Sequence, residues 1–228
     1  MYVASFSGGK DSTAMIDLIL EHKIPLDRIV CFMSDWEHTF LPDWIGECQE
    51  RWKFKIDILR PDRPFTYYAF LHEYTNKKGV HRKGYGFPSY SFRWCTALKI
   101  SEVRKYLNAL PGSQHFQYIG ICDDEDKRVN NRLKKNNVLY PLRMFHLKQK
   151  DALKYCLTRG YDFKGHYDHF SRLSCSFCPF KSNRELQQAA KFYPHEMKIL
   201  KNINALSDPE KIYKHSKPFS YYVNKLNL

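Results

Sequence analysis

No run of about 18 consecutive apolar residues occurs in the 228-residue chain, which excludes a hydrophobic membrane-spanning helix. Met1 to Phe6 pass at once into a strand-like pattern, without the basic, apolar and small-residue succession of a secretory leader, so a cytoplasmic protein is expected. Internal repeats and low-complexity linkers are also missing, which excludes solenoid architectures. Acidic residues are scarce. The 24 Asp and Glu stand against 37 Lys and Arg, leaving a net charge of +13, a field that attracts polyanions and implies nucleic acid or a phosphorylated substrate. The seven cysteines are an odd number, and two of them form Cys175-x-x-Cys178, which in a reducing compartment points to metal or redox chemistry before disulfides. No membrane partner is implied.

What is present alternates strands with helices. Tyr2 to Phe6 reads as a buried strand, and Ser12 to His22 follows as a helix with Met15, Leu18 and Ile19 on one face. Ile29 to Met33 and Phe54 to Leu59 read as further strands with a helix from Leu41 to Trp52 between them. Ile100, Val103, Leu107 and Leu110 mark a helix ended by Pro111-Gly112, and Phe116 to Cys122 is a fourth strand. This alternation predicts an α/β fold with a doubly wound, mainly parallel sheet. Helices are expected over 148–159, 183–192 and 195–203, and the lysine-rich tail from Ser207 is ambiguous. A soft boundary near Gly165 separates a sheet domain, residues 1–165, from a C-terminal helical region, residues 166–228, that carries the Cys-x-x-Cys pair. Ligands gather at the carboxyl ends of strands in such sheets, so the Ser7 loop, Asp35 and Asp123 to Arg128 are expected around one crevice.

Ser7-Gly8-Gly9-Lys10-Asp11-Ser12 sits where a strand ends and a helix begins, so backbone N–H groups and the helix dipole face whatever occupies the turn. Gly8 and Gly9 admit positive φ and close approach of phosphate oxygens, Lys10 adds a point charge, and Ser7 and Ser12 offer hydroxyls. The spacing is not that of a Walker A loop. Asp11 and Asp35 are candidates to position Mg²⁺ or the nucleotide, with helix capping and turn-making as their alternative roles. Glu125 and Arg128 are candidates for the substrate side, Arg128 on an anion, and solvated loop charges are the alternative.

The loop directly after an N-terminal strand resembles the PP-loop of the adenine nucleotide alpha-hydrolase superfamily, and the branch it most resembles is that of phosphoadenosine phosphosulfate (PAPS) reductase-like proteins. Ser34-Asp35-Trp36-Glu37, Arg93-Trp94-Cys95-Thr96 with Lys99, Gly120 through Asp124-Glu125 to Arg128, Tyr140-Pro141-Leu142 and Cys175-Ser176-Phe177-Cys178-Pro179 follow in the family's order, over roughly residues 1–200. The resemblance implies an adenine nucleotide in the crevice, either ATP or a sulfonucleotide (PAPS or adenosine phosphosulfate, APS), and either sulfur chemistry or substrate adenylylation. Lys10, Asp11, Cys95 and Glu125 are the candidate catalytic residues. Ser7, Gly8, Gly9, Lys10, Asp11, Ser12, Asp35, Arg93 and Arg128 are the candidate nucleotide contacts.

Cys175 and Cys178 have the spacing for two thiolates on one metal, and Cys95 is the expected third ligand. It is expected to precede a helix beginning near Ala97, whose dipole, with Arg93, would lower its pKa. The resemblance implies a [4Fe-4S] cluster on Cys95, Cys175 and Cys178 with one iron left open. Zn²⁺ closed by His166, His169 or Cys122 is the alternative. Cys31, Cys48 and Cys156 read as buried structural thiols.

Basic clusters at Lys77, Lys78, Arg82 and Lys83 and at Lys127, Arg128, Arg132, Lys134 and Lys135, with Tyr85, Phe87, Tyr90 and Phe92 interleaved, suggest an RNA or DNA acceptor. The leading expectation is ATP-dependent adenylylation of a nucleic-acid base, pyrophosphate release and sulfur transfer through the cysteine centre. A sulfonucleotide reductase is the second reading. The family's reductases resemble one another in a cysteine near the C-terminus, whereas Cys178 is the last cysteine here. A zinc-stabilised nucleic-acid-binding module without catalysis is the third.

Overall fold

The computed structural model describes residues 1–130, 137–206 and 212–228. In chain order the elements are β1 (Tyr2–Phe6), α1 (Lys10–Glu21), β2 (Arg28–Phe32), α2 (Leu41–Trp52) and β3 (Ile56–Leu59), then α3 (Phe65–Phe70), β4 (Glu73–Thr75), β5 (His81–Lys83) and α4 (Trp94–Ala109). They are followed by β6 (Phe116–Ile119), α5 (Asp126–Asn130), β7 (Val138–Leu139), α6 (Pro141–Met144) and α7 (Gln149–Thr158), and then by α8 (Asn183–Phe192), α9 (Pro194–Leu206), β8 (Ile212–Lys214), β9 (Lys217–Pro218) and α10 (Phe219–Leu226). Two compact units divide them. Met1–Phe32, Phe40–Leu59 and Val103–Leu173 form the first, and Met33–Thr39, Arg60–Glu102 and Ser174–Leu228 form the second. Each unit is thus gathered from three stretches, and the chain passes from one to the other at five points, one of them within α4 and the last between Leu173 and Ser174.

The first unit is built on a five-stranded sheet of order β3-β2-β1-β6-β7 in which every pairing is parallel. Val3, Ala4 and Phe6 of β1 and Ile29 to Phe32 of β2 are buried, the continuous apolar run of strands covered on both faces. Two successive strands lie on one side of β1 and the later pair on the other, so the winding reverses between β1 and β6. α1 buries Ala14, Met15, Ile16 and Ile19 completely, and each large side chain among them contributes about 1.5–3 kcal/mol by leaving water.

The expected α/β class and parallel sheet are therefore observed, with shifted ends. The fourth strand stops at Ile119, short of Cys122, because the chain turns at Gly120, where a Cβ would stand 3.0 Å from the Asp11 backbone. β3 begins at Ile56 and not Phe54, because Lys53 in the left-handed region and the bond from the Phe54 N–H to the Gln49 carbonyl still belong to the exit from α2. Cys31, Cys48 and Cys156 are buried as expected.

The second unit packs around aromatic rings. Trp36 meets Phe65, Phe87, Trp94 and Phe177 at centroid distances of 5.7 to 5.9 Å. β4 and β5 pair antiparallel, as do β8 and β9. α8 starts on a capping box in which Ser182 and Glu185 satisfy one another's backbone N–H groups. The tail that is ambiguous in sequence forms β8, β9 and α10, with 207–211 outside the described residues. No helix among the described residues is long and apolar enough to cross a membrane.

Candidate active site

In the first unit the reversal of winding between β1 and β6 places the Ser7 to Ser12 loop and the turn after Gly120 at neighbouring carboxyl ends, the position where open parallel sheets bind ligands. Gly8 adopts φ +75°, and a Cβ there would stand 2.5 Å from Leu41 Cδ1, so this position needs glycine. The Trp44 indole N–H fixes the turn by donating to the Gly8 carbonyl at 2.9 Å. The hydroxyls of Ser12 and Thr13 both donate to the Gly9 carbonyl, at 2.9 and 3.1 Å, and the Ser7 N–H donates to Ser12 Oγ at 3.1 Å. Carbonyls are thereby turned inward. Gly9 caps α1 with no side chain, so no cap side chain of its own competes for the positive end of the helix dipole, the physical requirement of an anion site.

Lys10 and Asp11 close the loop. The Lys10 ammonium donates to Asp11 Oδ1 at 2.6 Å and to the Gln149 carbonyl at 3.1 Å. The Lys10 N–H donates to the Tyr167 hydroxyl at 2.9 Å, and burial pushes that phenol up so that it stays neutral. The Cys122 thiol donates to Asp11 Oδ1 at 3.5 Å, and the Cys156 thiol to the Lys10 carbonyl at 3.4 Å. Burial first, and then the Asp11 charge, push the Cys122 thiol up, so it is held as a neutral donor. Glu125 accepts the Cys122 N–H at 3.0 Å and pairs with Arg128, which ties the turn after β6 together. His166, one candidate zinc ligand, stacks on Phe170 at 4.6 Å, with Nε2 3.1 Å from the Arg172 carbonyl.

The cysteines expected to act together all fall in the second unit. Cys175 and Cys178 share a side-chain hydrogen bond, which with burial raises the Cys175 thiol well above its ordinary value. Their loop is tied at several points: the Ser176 N–H donates to the Trp36 carbonyl at 2.7 Å, the Tyr213 hydroxyl to the Cys178 carbonyl at 3.1 Å, and the Lys181 N–H to the same carbonyl at 3.3 Å. Lys181 is 1% exposed and donates to Ser174 Oγ at 2.8 Å, and its charge offsets part of the rise at Cys175. Glu196 on α9 is a second buried anchor. It accepts from the Ser176 hydroxyl at 2.7 Å and from the Thr39 N–H at 2.8 Å, and meets His38 Nδ1 at 2.7 Å.

The expectations for Cys95 and Phe87 are corrected in this unit, and of the two roles open to Asp35 the capping one is observed. Cys95 lies in the first turn of α4, which starts at Trp94 because that indole is 3% exposed and donates to the Gly86 carbonyl at 3.0 Å. The Cys95 thiol is raised and not lowered, by burial first and then by the charge of Cys178, while the Arg93 guanidinium lies over the Phe180 ring at 4.7 Å. Phe87, expected to stack on a base, is 6% exposed within the aromatic core, whereas Tyr90 and Phe92 are 75% and 49% exposed. Both oxygens of Asp35 hold the start of α3, Oδ1 accepting the Phe65 N–H and Oδ2 the Thr66 N–H, which is the capping role. Burial pushes the neighbouring Glu37 carboxyl up.

Three thiols in one unit are a donor set suited to an iron–sulfur cluster or, with a fourth donor, to zinc. Cys178 pairs with Cys175 and acts on Cys95, although no three His, Cys, Asp or Glu side chains among the described residues converge on one ion position. Lys77, Lys78, Arg82 and Lys83 are exposed on the β4–β5 hairpin, and Lys127 and Arg128 on α5. Arg132, Lys134 and Lys135 lie outside the described residues.

A family model described as the phosphoadenosine phosphosulfate reductase domain matches residues 1–181. An uncharacterized protein of Methanocaldococcus jannaschii is 23% identical over 204 residues, covering 84% of this chain and 39% of that protein. The chain therefore spans about two fifths of the length of that curated relative. Among solved structures, the U34-tRNA thiolase NcsA from Methanococcus maripaludis with its [4Fe-4S] cluster is similar, with a TM-score of 0.45 and 15% identity, over 90% of this chain and 70% of that one.

Proposed function

The chain belongs to the phosphoadenosine phosphosulfate reductase domain family, and we propose that it is an ATP-dependent enzyme that adenylylates an oxygen of a nucleic-acid base, releases pyrophosphate and replaces that oxygen by sulfur. The observation that carries this reading is the meeting of the glycine-led start of α1 with the turn after β6, linked by Cys122 Sγ 3.5 Å from Asp11 Oδ1. An anion-binding loop at a sheet's point of reversal suits a nucleotide triphosphate. The net charge of +13 supports a polyanionic acceptor.

The base oxygen attacks the α-phosphorus of ATP, the bond to the bridging oxygen breaks, and pyrophosphate leaves. Hydrosulfide then adds at the activated carbon, and AMP departs with the original oxygen. The ring N–H proton lost in the first step is regained from the thiol. In this scheme the amides of Gly8 and Gly9 hold phosphate oxygens, and Lys10 balances the charge that develops on the leaving group. Asp11 orients the Lys10 ammonium and is the loop carboxylate available to the Mg²⁺ that accompanies a nucleotide. Cys95, Cys175 and Cys178 would hold a [4Fe-4S] cluster, which supplies an iron position open to sulfur.

Calorimetric titration with ATP, PAPS and APS tests the reading. ATP should bind, and Lys10→Ala should weaken it. Binding of PAPS with no binding of ATP would move the protein to sulfonucleotide reduction.

A further inference from the structure

The family match ends at Lys181, and the chain beyond it builds a basic pocket of about 510 Å³ in the second unit. One wall is the start of α8 at Ser182 and Asn183, and the rest comes from the β8–β9 hairpin and α10. The walls carry Lys214, Lys217 and Lys225 together with His215 and the rings of Tyr221 and Tyr222.

Each ammonium is placed by a ring. Lys214 Nζ lies 5.4 Å from the Tyr222 centroid, and it also donates to the Lys181 carbonyl. Lys217 Nζ and Lys225 Nζ lie 5.5 and 5.4 Å from the centroid of Tyr221, and Lys225 donates to the Tyr221 hydroxyl at 3.3 Å. Tyr221 is 39% exposed. Glu185, whose charge acts on Lys214, already accepts the Ser182 N–H at 2.7 Å. Bringing three lysines into one concavity is unfavourable unless an anion enters it. The volume exceeds what a lone phosphate needs and falls within the range of small-ligand sites. An exposed ring flanked by two ammonium groups is the combination that takes a base and its phosphate together.

We infer that this pocket binds one nucleotide unit of a single-stranded nucleic acid, the phosphate between Lys217 and Lys225 and the base against Tyr221. The inference rests on the nucleic-acid acceptor proposed above and names where, outside the family-matched region, that acceptor is gripped.

The test is fluorescence anisotropy of the full chain with a single-stranded RNA of about twelve nucleotides at several salt concentrations, with ATP calorimetry in parallel. All three side chains to be changed are exposed, so their replacement leaves the core intact. The double variant Lys217→Glu/Lys225→Glu should lose at least about tenfold in RNA affinity and flatten the log–log salt slope by about 0.7 for each phosphate that is no longer neutralised. Tyr221→Ala should lose about tenfold. ATP binding should not change in either. Wild-type RNA affinity in both variants would overturn the inference while leaving the acceptor reading intact. AMP competing as well as the oligonucleotide would overturn it by making the pocket a mononucleotide site. Failure of the wild type to bind RNA at low salt, with ATP still bound, would remove the acceptor reading and this inference with it.

Discussion

The Ser176 hydroxyl donates to Glu196 Oε2 at 2.7 Å, and the same oxygen meets His38 Nδ1 at 2.7 Å. One buried carboxylate on α9 therefore holds both the loop between Cys175 and Cys178 and the segment that follows β2. Glu196 is 5% exposed. Burial raises its pKa, but hydrogen bonds from His38, Thr39 and Ser176 more than offset this and lower it to about 2 from 4.5.

Acid stability follows from that shift. A carboxylate depressed on folding contributes stability that is fully present above its unfolded value and lost as the pH falls through the folded one, so the contribution of Glu196 should disappear between about pH 4.5 and pH 2. Its size is about 3 kcal/mol. In urea melts, Glu196→Gln should be destabilised at pH 7 and should lack this part of the acid dependence. An unchanged pH profile would mean that Glu196 does not tie the loop in solution.

Much of the sheet unit was legible in sequence because its signals are local. The change from strand to helix periodicity around two glycines located the loop, and apolar spacing located α2 from Leu41 to Trp52. The network around Glu196 was not legible, since His38 stands 158 positions away and nothing in a single sequence couples them. The burial of Lys181 beside Ser174 was not legible either, since no local signal sets it apart from the chain's other lysines. The pKa expectation for Cys95 counted a helix dipole and a neighbouring arginine but not desolvation, which dominates there. Asp35 was ambiguous between a ligand role and a cap, because its partners Phe65 and Thr66 lie some 30 positions downstream.

Gly8→Ala should damage the loop in two ways. It forces a side chain to φ +75° at a cost of about 1 kcal/mol, and it displaces Leu41. ATP affinity measured by calorimetry should fall at least about tenfold, with a modest drop in melting temperature. Unimpaired ATP binding would place the phosphates elsewhere.

Tyr167→Phe keeps the ring and removes the acceptor of the Lys10 N–H. Leaving that amide without its partner should cost about 1–3 kcal/mol in the ligand-free protein, and less once a phosphate oxygen replaces the hydroxyl. The gain in melting temperature on adding ATP should therefore be larger for the variant than for the wild type. An equal gain would show that the phosphate does not reach this amide.

Cys95→Ser, Cys175→Ser and Cys178→Ser should each lose most of the bound iron and acid-labile sulfide after anaerobic purification, because ligands to one centre act as a set. Full iron retention in Cys95→Ser would require a different third ligand. Stoichiometric zinc without sulfide in the wild type would replace the cluster with a structural ion.

The central claim is that the loop after β1 activates an acceptor with ATP. Its most direct measurement is pyrophosphate release from ATP by anaerobically purified protein, with and without transfer RNA. The predicted result is release of pyrophosphate and AMP that depends on the RNA and falls at least about a hundredfold in both Lys10→Ala and Asp11→Ala, whose side chains pair at 2.6 Å beside the amides proposed to hold phosphate. Absence of pyrophosphate under all these conditions, together with sulfite release from PAPS, would contradict it.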